Sequence, residues 1–331
     1  MKAVQQINYS KISESIVFSE IEKPTITKDE VLIEIYAAGV NPLDIKVIEG
    51  KLKSMGKLKL PATLGYDVSG IIVEKGANVT NFNIGDEVFS KVNKQGTFTE
   101  FVAVNQNLIS LKPKNTTFEE AASLPLVSLT ALQALKRGKL QSGDKILIHA
   151  GSGGVGFLAI QLAKAQGAYV YTTTSAANVA WVKALGADRV IDYKTEDYKT
   201  IANDVDMVLD TLGNQYTEDA FKVIKKGGKV ITLVGHVDEE TAKRMKLNKI
   251  VRLFLAWKRL KITRLINSKS AYYSLLIMRT NAKQLNEITE LVESGKIKTK
   301  IDKVFPLKDT LDALLYVKEG RAKGKVVIKI K

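Results

Sequence analysis

The stretch that most constrains this chain is Lys145 to Ser175, KILIHAGSGGVGFLAIQLAKAQGAYVYTTTS. A short apolar run, Ile146 to Ile148, meets Gly151, Gly153, Gly154 and Gly156, and a segment rich in Ala and Leu, with neither Gly nor Pro, then runs to Gln166. Strand, tight turn and helix are expected in succession. Gly167 closes the helix, and the β-branched and aromatic Tyr169 to Thr173 make the next strand. In the G-x-G-x-x-G spacing, Gly151 is expected to make the turn, Gly153 to let backbone amides approach a pyrophosphate, and Gly156 to let the helix pack closely on the strand. With Ser152, Gly154 and Val155 completing the loop, the phosphates would sit at the positive helix N-terminus. The stretch predicts a dinucleotide-binding βαβ unit.

The end of the second strand bears on which dinucleotide. A site for NAD usually has Asp or Glu about 20 residues beyond the motif, bonded to the ribose 2′-hydroxyl. Here Thr172, Thr173, Thr174 and Ser175 occupy that place, and no carboxylate follows before Asp188. Nothing repels a 2′-phosphate and hydroxyls can bond it, so NADPH is expected.

A length of 331 residues exceeds one ordinary core, so two domains are expected. With 45% hydrophobic and 26% charged residues the chain reads as globular. Cysteine is absent, which excludes disulfides and thiolate metal sites. The first residues, MKAVQQINYS, lack an apolar signal core, and apolar runs such as Leu253 to Trp257 are too short to span a bilayer. A cytoplasmic location is the expectation.

Residues 1 to about 120 read as β-rich and helix-free, with short runs such as Val31 to Tyr36, Ser69 to Glu74 and Glu87 to Ser90 between Gly, Asn, Asp and Pro. Such a stretch should close into a barrel or sandwich. Helical composition takes over from Thr117 to Leu135. Beyond the glycine unit, strand-like and helical pieces alternate, which predicts a doubly wound parallel sheet. A helix over Ala282 to Ser294, another over Lys308 to Lys318 and a strand over Lys325 to Ile330 finish the chain.

Seven segments in this order carry a family resemblance over nearly the whole chain. They are AAGVNPLD (37 to 44), LGYDVSG (64 to 70), GANVTNFNIGDEVF (76 to 89), LPLVSLTALQAL (124 to 135), AGSGGVG (150 to 156), ALGADRVIDY (184 to 193) and GRAKGKVVI (320 to 328). The chain resembles the zinc-independent medium-chain dehydrogenase/reductases, in the quinone oxidoreductase and alkenal reductase branch. The resemblance implies an α/β protein: a GroES-like β-barrel catalytic domain (1–122, completed by 296–331) and a Rossmann NADP(H)-binding domain (123–295). It also implies a homodimer. In zinc alcohol dehydrogenases of this superfamily a Cys stands at Asn41 and a His-Glu pair at Tyr66 and Asp67. With no Cys, and His149 and His236 the only histidines, neither zinc site of those enzymes can be built.

The hydride is therefore expected to reach an acceptor that needs no Lewis acid, a quinone or an α,β-unsaturated carbonyl. By resemblance, Asn41 lies in the substrate cleft with an amide to donate, and Lys46 stabilises developing negative charge or relays a proton. Thr130 is placed near the nicotinamide carboxamide, with Val234 and Gly235 lining that ring. Tyr193 is placed beside the adenosine 2′-phosphate, Thr174 and Ser175 offer it hydroxyls, and Lys325 adds positive field.

The net charge of +15 is uneven: no acid lies between Glu240 and Glu287, while twelve Lys and Arg do. Apolar residues between Lys243 and Lys269 recur at helical spacing, and two readings stand. The segment packs on its own domain or a dimer partner, or it lies on an anionic membrane. The alternative function is a nucleotide-binding module of low activity whose basic segment binds membrane or RNA. Nucleic acid is disfavoured, because stacking groups are few and no RNA-binding signature is present.

Overall fold

The computed structural model describes residues 1–53, 56 and 58–331. It divides into two compact units, Met1–Leu129 with Thr280–Lys331, and Thr130–Arg279. The first contains β1 (Lys2–Gln6), β2 (Ile16–Glu20), β3 (Glu30–Val40), β4 (Ala62–Thr63), β5 (Asp67–Lys75), β6 (Glu87–Lys91), β7 (Phe101–Asn105) and β8 (Ile109–Leu111). The second contributes β9 (Lys145–Ile148), β10 (Tyr169–Thr174), β11 (Arg189–Asp192), β12 (Val205–Asp210), β13 (Ile224–Thr232) and β14 (Tyr272–Leu275). The chain then returns to the first unit for β15 (Ile301–Pro306) and β16 (Lys325–Lys329).

In the first unit, β15-β16-β3-β5-β6-β8 form one sheet, with β7 also paired to β3, and a small sheet β2-β1-β4 lies apart. The long β3 carries apolar residues on both faces, so both are covered. Val31, Ile33 and Ile35 join Val68, Ile72, Val88 and Val104 in one core, while Ala38 and Val40 join Ile45, Leu64, Phe98, Leu314 and Ile328 in another. The late strand β16 adds antiparallel to β3, Val326 opposite Val40, so the tail completes the sheet that the first residues began.

This unit is not helix-free. Ile12–Ser15 and Pro42–Ile48 are helices. The second was legible: Asn41 and Asp44 form a capping box and Pro42 stands at the first helical position, where its missing N–H has no intrahelical partner to lose. The helix Ala282–Glu293, expected with the second domain, belongs to the first unit. It buries Leu285, Ile288 and Val292, and the Asn115 side chain donates to Val292 O at 3.0 Å.

In the second unit all strand pairs are parallel and the order is β11-β10-β9-β12-β13-β14. This is the expected doubly wound Rossmann sheet, and its order reverses between β9 and β12, where such sheets bind ligands outside the carboxyl ends of the strands. Ile146, Leu147 and Ile148 of β9 are fully buried, because helices cover both faces.

Candidate functional site

In the second unit the chain leaves β9 through His149, Ala150 and Gly151 into the helix Gly154–Ala165. The left-handed turn residue is Ala150, with φ 54°, and not Gly151 as the motif predicts. Gly151 is required for another reason: a Cβ there would lie 2.2 Å from Thr172 Oγ1 on the neighbouring strand. At Gly156 a Cβ would lie 2.2 Å from Ala150 O, so the helix can pack against the strand end only without one. Gly153 differs. A Cβ there meets only Ala150 O, at 3.3 Å, a tight contact that a shift of a few tenths of an ångström relieves, so the fold demands glycine less here than at Gly151 or Gly156. A bare glycine that the fold demands less, at the N-cap of a twelve-residue helix, fits a pyrophosphate approaching from outside.

The ends of the neighbouring strands converge on this turn. Thr173 Oγ1 accepts from Ala150 N at 3.1 Å, and Gly151 N donates to Thr173 O at 2.8 Å. Thr174 Oγ1 is buried without a hydrogen-bond partner among the described residues, a group awaiting an acceptor or donor. The Asn178 side-chain amide donates to Ser152 Oγ at 3.3 Å and to Ser175 Oγ at 3.1 Å, tying the glycine loop to the end of β10. Asn178 had no place among the expected site residues. Tyr193, half exposed, donates its backbone N–H to Thr174 O at 3.1 Å and so stands at the same corner.

Among the described residues, β10 itself ends in Thr172, Thr173 and Thr174 and carries no carboxylate. Asp188 lies at the other end, accepting from Val170 N at 2.7 Å and paired with Lys164 at 2.8 Å. Asp192, opposite Thr174 in the ladder, accepts from Lys194 N at 3.1 Å.

Beyond β12, Asp210 organises the other side of the crevice. Its buried carboxylate accepts from Leu212 N at 2.9 Å, Gly213 N at 2.8 Å and Thr232 Oγ1 at 2.9 Å. Gly213, with φ 77°, sits so close to Val234 that a Cβ would be 2.8 Å from its Cγ2, and Val234 itself stays 41% exposed. Gly235 is demanded by the protein, since its Cβ would lie 2.6 Å from the Tyr273 hydroxyl. Thr130, on the helix Pro125–Arg137, is buried.

In the first unit, sequence-distant charged residues meet in a buried cluster. Lys325, at the start of β16, donates to Val40 O at 3.0 Å and to Asn41 Oδ1 at 2.6 Å, and lies 3.6 Å from Asp67 Oδ2. Asn41 Nδ2 donates to Asp67 Oδ2 at 2.9 Å and to Gly39 O at 3.3 Å, so both its amide hydrogens are engaged. The expectation that Asn41 donates to a substrate oxygen is therefore corrected: it is fully buried and holds the cluster together. Lys325, expected to lend its charge to the cofactor, is likewise 3% exposed and bonded inside this unit.

Burial raises the Asp67 pKa and lowers that of Lys325, so desolvation outweighs their mutual attraction in both directions. Asp67 also accepts from Leu126 N at 2.9 Å. Asp44 accepts from Asn41 N at 2.7 Å, but its Oδ1 is buried with no partner among the described residues. Burial, with Asp67 adding repulsion, pushes Asp44 up to about 7.

At the margin of this cluster stand two further groups. Tyr66 is half-buried, its phenol pushed up to about 12 by burial and by Asp44. Lys91, at the end of β6, sets its ammonium 5.0 Å from the Tyr66 ring centroid and is 9% exposed, with its pKa lowered by burial. Sequence reasoning missed Lys91, because in EVFSKV it looks like a solvent-facing strand residue. Lys46 is half-buried on the helix that Asn41 caps.

Comparison with known proteins agrees with this architecture. The family model for the alcohol dehydrogenase GroES-like domain matches residues 27–114, and that for the zinc-binding dehydrogenase matches 185–328. The 2-methylene-furan-3-one reductase of Solanum lycopersicum is 35% identical over 99% of this chain and 79% of its own length. The chloroplastic NADPH-dependent alkenal/one oxidoreductase of Arabidopsis thaliana is also 35% identical, over the same shares. The solved quinone oxidoreductase from Coxiella burnetii superposes with a TM-score of 0.85, at 33% identity, over 100% of this chain and 99% of that one. The chain belongs to the medium-chain dehydrogenase/reductase family, in its quinone oxidoreductase and alkenal reductase branch.

Two expectations follow from this geometry. Gly153→Val should weaken NADPH binding at least about tenfold while costing less stability than Gly156→Ala, which should lower it by about 1–3 kcal/mol through overpacking. Titration calorimetry and thermal melts separate the two, and equal effects in both assays would mean that Gly153 does not face a ligand site. The second concerns pH. Between its ordinary value and about 7, the Asp44 carboxyl binds more protons folded than unfolded, so stability falls as pH rises through that window and levels off above it. Asp44→Asn keeps an acceptor for Asn41 N and should flatten this part of the pH–stability profile, as read by denaturant melts. An unchanged slope would show that Asp44 ionises normally.

Proposed function

We propose that this chain is an NADPH-dependent reductase that transfers hydride to quinones or α,β-unsaturated carbonyls without zinc. The observation that carries the reading is the Lys325 cluster. Where the zinc alcohol dehydrogenases it resembles place metal ligands, two of the residues here, Asn41 and Asp67, surround a buried ammonium instead. An ammonium offers hydrogen bonds and charge but no empty orbital, so a simple alcohol or aldehyde finds no Lewis acid. Conjugated carbonyls and quinones are electrophilic without one.

Bound NADPH supplies the hydride. The loop Gly151 to Gly156 and the corner formed by Thr174, Ser175 and Tyr193 hold its phosphates, and Thr130, Val234 and Gly235 line the nicotinamide. The enolate or hydroquinone anion then needs donors and a proton. Lys91 and Tyr66 supply them, with Lys46 as a second cation. A lysine whose pKa is lowered by burial gives up its proton more readily than one in water. Asn41 and Lys325 act as positioning residues. The reading includes a homodimer and a cytoplasmic location. Among the described residues no helix is long and apolar enough to cross a membrane.

The names of its relatives support the same reading, since they are an alkenal/one oxidoreductase, a furanone reductase and a quinone oxidoreductase. An NADPH oxidation screen over quinones, enals, enones and simple aldehydes tests it. NADPH should be preferred to NADH by at least about tenfold in kcat/KM, roughly 1.4 kcal/mol. Ser175→Asp should narrow that preference, because the half-buried strand end then carries a charge that repels the 2′-phosphate. Dialysis against a strong chelator should leave activity intact. Turnover of ethanol, or loss of activity that zinc restores, would overturn the proposal.

Lys91→Met should lower kcat by about 10²-fold or more and shift the alkaline limb of the pH–rate profile, with NADPH affinity unchanged. Lys91→Arg should rescue part of the charge stabilisation but not that limb. A Lys91→Met enzyme of normal kcat would remove the residue from the mechanism.

A further inference from the structure

Two helices, Lys249–Lys258 and Leu260–Lys269, separate β13 from β14 in the second unit. The second packs inward, with Ile262 buried and Leu265 and Ile266 against the core around Phe221 and Tyr273. The first buries no residue. On it Ile250, Leu253, Phe254 and Trp257 recur at spacings of three and four and so share one face. They are 83%, 77%, 51% and 65% exposed, and Leu260 continues the stripe at 49%. Packing on its own domain, one of the two readings of this segment, therefore holds for the second helix and not for the first.

The stripe is bordered by cations. Lys246, Lys249, Lys258 and Arg264 are exposed, and the Lys258 ammonium lies 4.8 Å from the Phe254 ring centroid. Others on these helices are engaged by the protein: Arg252 pairs with Glu239, Lys261 with Glu218 at 2.6 Å, and Arg259 donates to Val237 O. No acid occurs anywhere between Glu240 and Glu287 to repel an anionic surface.

We infer that this face docks on an anionic phospholipid bilayer. An indole, a phenyl and branched aliphatics between lysines enter the headgroup boundary as a unit, because the apolar groups leave water while the long cationic stems reach back to the phosphates. A second copy of this chain is a poorer occupant. A two-fold contact would set this face, with Lys246, Lys249 and Lys258 at its border, against a copy of itself bearing the same positive charges, and like charges across an interface oppose it. Docking would carry the enzyme to acceptors dissolved in lipid, a consequence that rests on the reductase reading, whereas docking itself does not.

The experiment uses the full chain with vesicles of phosphatidylcholine alone and of phosphatidylcholine mixed with phosphatidylserine. Trp257 and Trp181 are the only tryptophans, so Trp181→Phe makes emission report on the stripe. Co-sedimentation should require phosphatidylserine, Trp257 emission should shift to the blue, and binding should weaken as salt shortens the Debye length. Changing Lys246, Lys249, Lys258 and Arg264 to Gln should lower affinity at least about tenfold. Leu253→Glu with Trp257→Glu should abolish sedimentation and leave NADPH oxidation by a water-soluble acceptor unchanged.

Absence of binding to the phosphatidylserine vesicles at low salt would overturn the inference. So would full binding by the Leu253→Glu, Trp257→Glu variant, which would mark a site for polyanions such as RNA that reads charge alone. A dimer in sedimentation velocity that the same variant reduces to monomer would assign the face to a second copy and overturn it as well.

Discussion

One ammonium group, Lys325 Nζ, holds the first unit together. Removing such an ion from water costs several kcal/mol, and a buried ion is tolerated only where its hydrogen bonds are made good. Val40 O and Asn41 Oδ1 bond it, and Asp67 balances its charge. Those partners come from the end of β3, the cap of the following helix and the start of β5, so β16 can add to the sheet only in the register that brings Lys325 to them. The same contact fixes Asn41, and through it the capping hydrogen bond that its N–H donates to Asp44.

The chemistry follows from what such a cluster can offer. Charge and donors are present, but Lys325 and both amide hydrogens of Asn41 are bonded within the protein, so the interior holds the scaffold while proton traffic falls to its margin. Tyr66 and Lys91 stand there, one with a phenol that holds its proton and one with an ammonium that burial makes a better acid. Burial raises the pKa of both Asp44 and Asp67, since two ionised carboxylates around one ammonium would leave an unpaired buried charge.

The second unit separates glycines that serve the fold from the one that serves a ligand. Gly151, Gly156 and Gly235 each stand where a methyl group would collide with the protein's own atoms, while at Gly153 it would meet a single backbone oxygen at 3.3 Å, close but not colliding. Asn178 and Asp210 then brace the two sides of the crevice with hydrogen bonds from buried or half-buried groups, which holds the loop geometry before any cofactor arrives. Such preorganisation lowers the ordering cost of binding.

Local pattern alone determined a good deal. The glycine spacing between an apolar run and an Ala-rich helix defines a dinucleotide fold, because only one local geometry suits strand, turn and helix at that spacing, and the absence of a carboxylate at Thr172 to Ser175 points to the phosphorylated cofactor. The missing Cys already excluded the superfamily's zinc sites. Tertiary structure decided the rest. Lys325 lies 284 positions from Asn41, and no periodicity reveals that an ammonium and an amide so far apart will meet. Lys91 looks solvent-facing in its strand until the fold buries it beside Tyr66. The apolar residues of 249–269 repeat with one period in both helices, yet the first turns its stripe outward and the second inward. Periodicity fixes which residues share a face, and only the packing of neighbouring elements decides whether that face meets the core or the solvent.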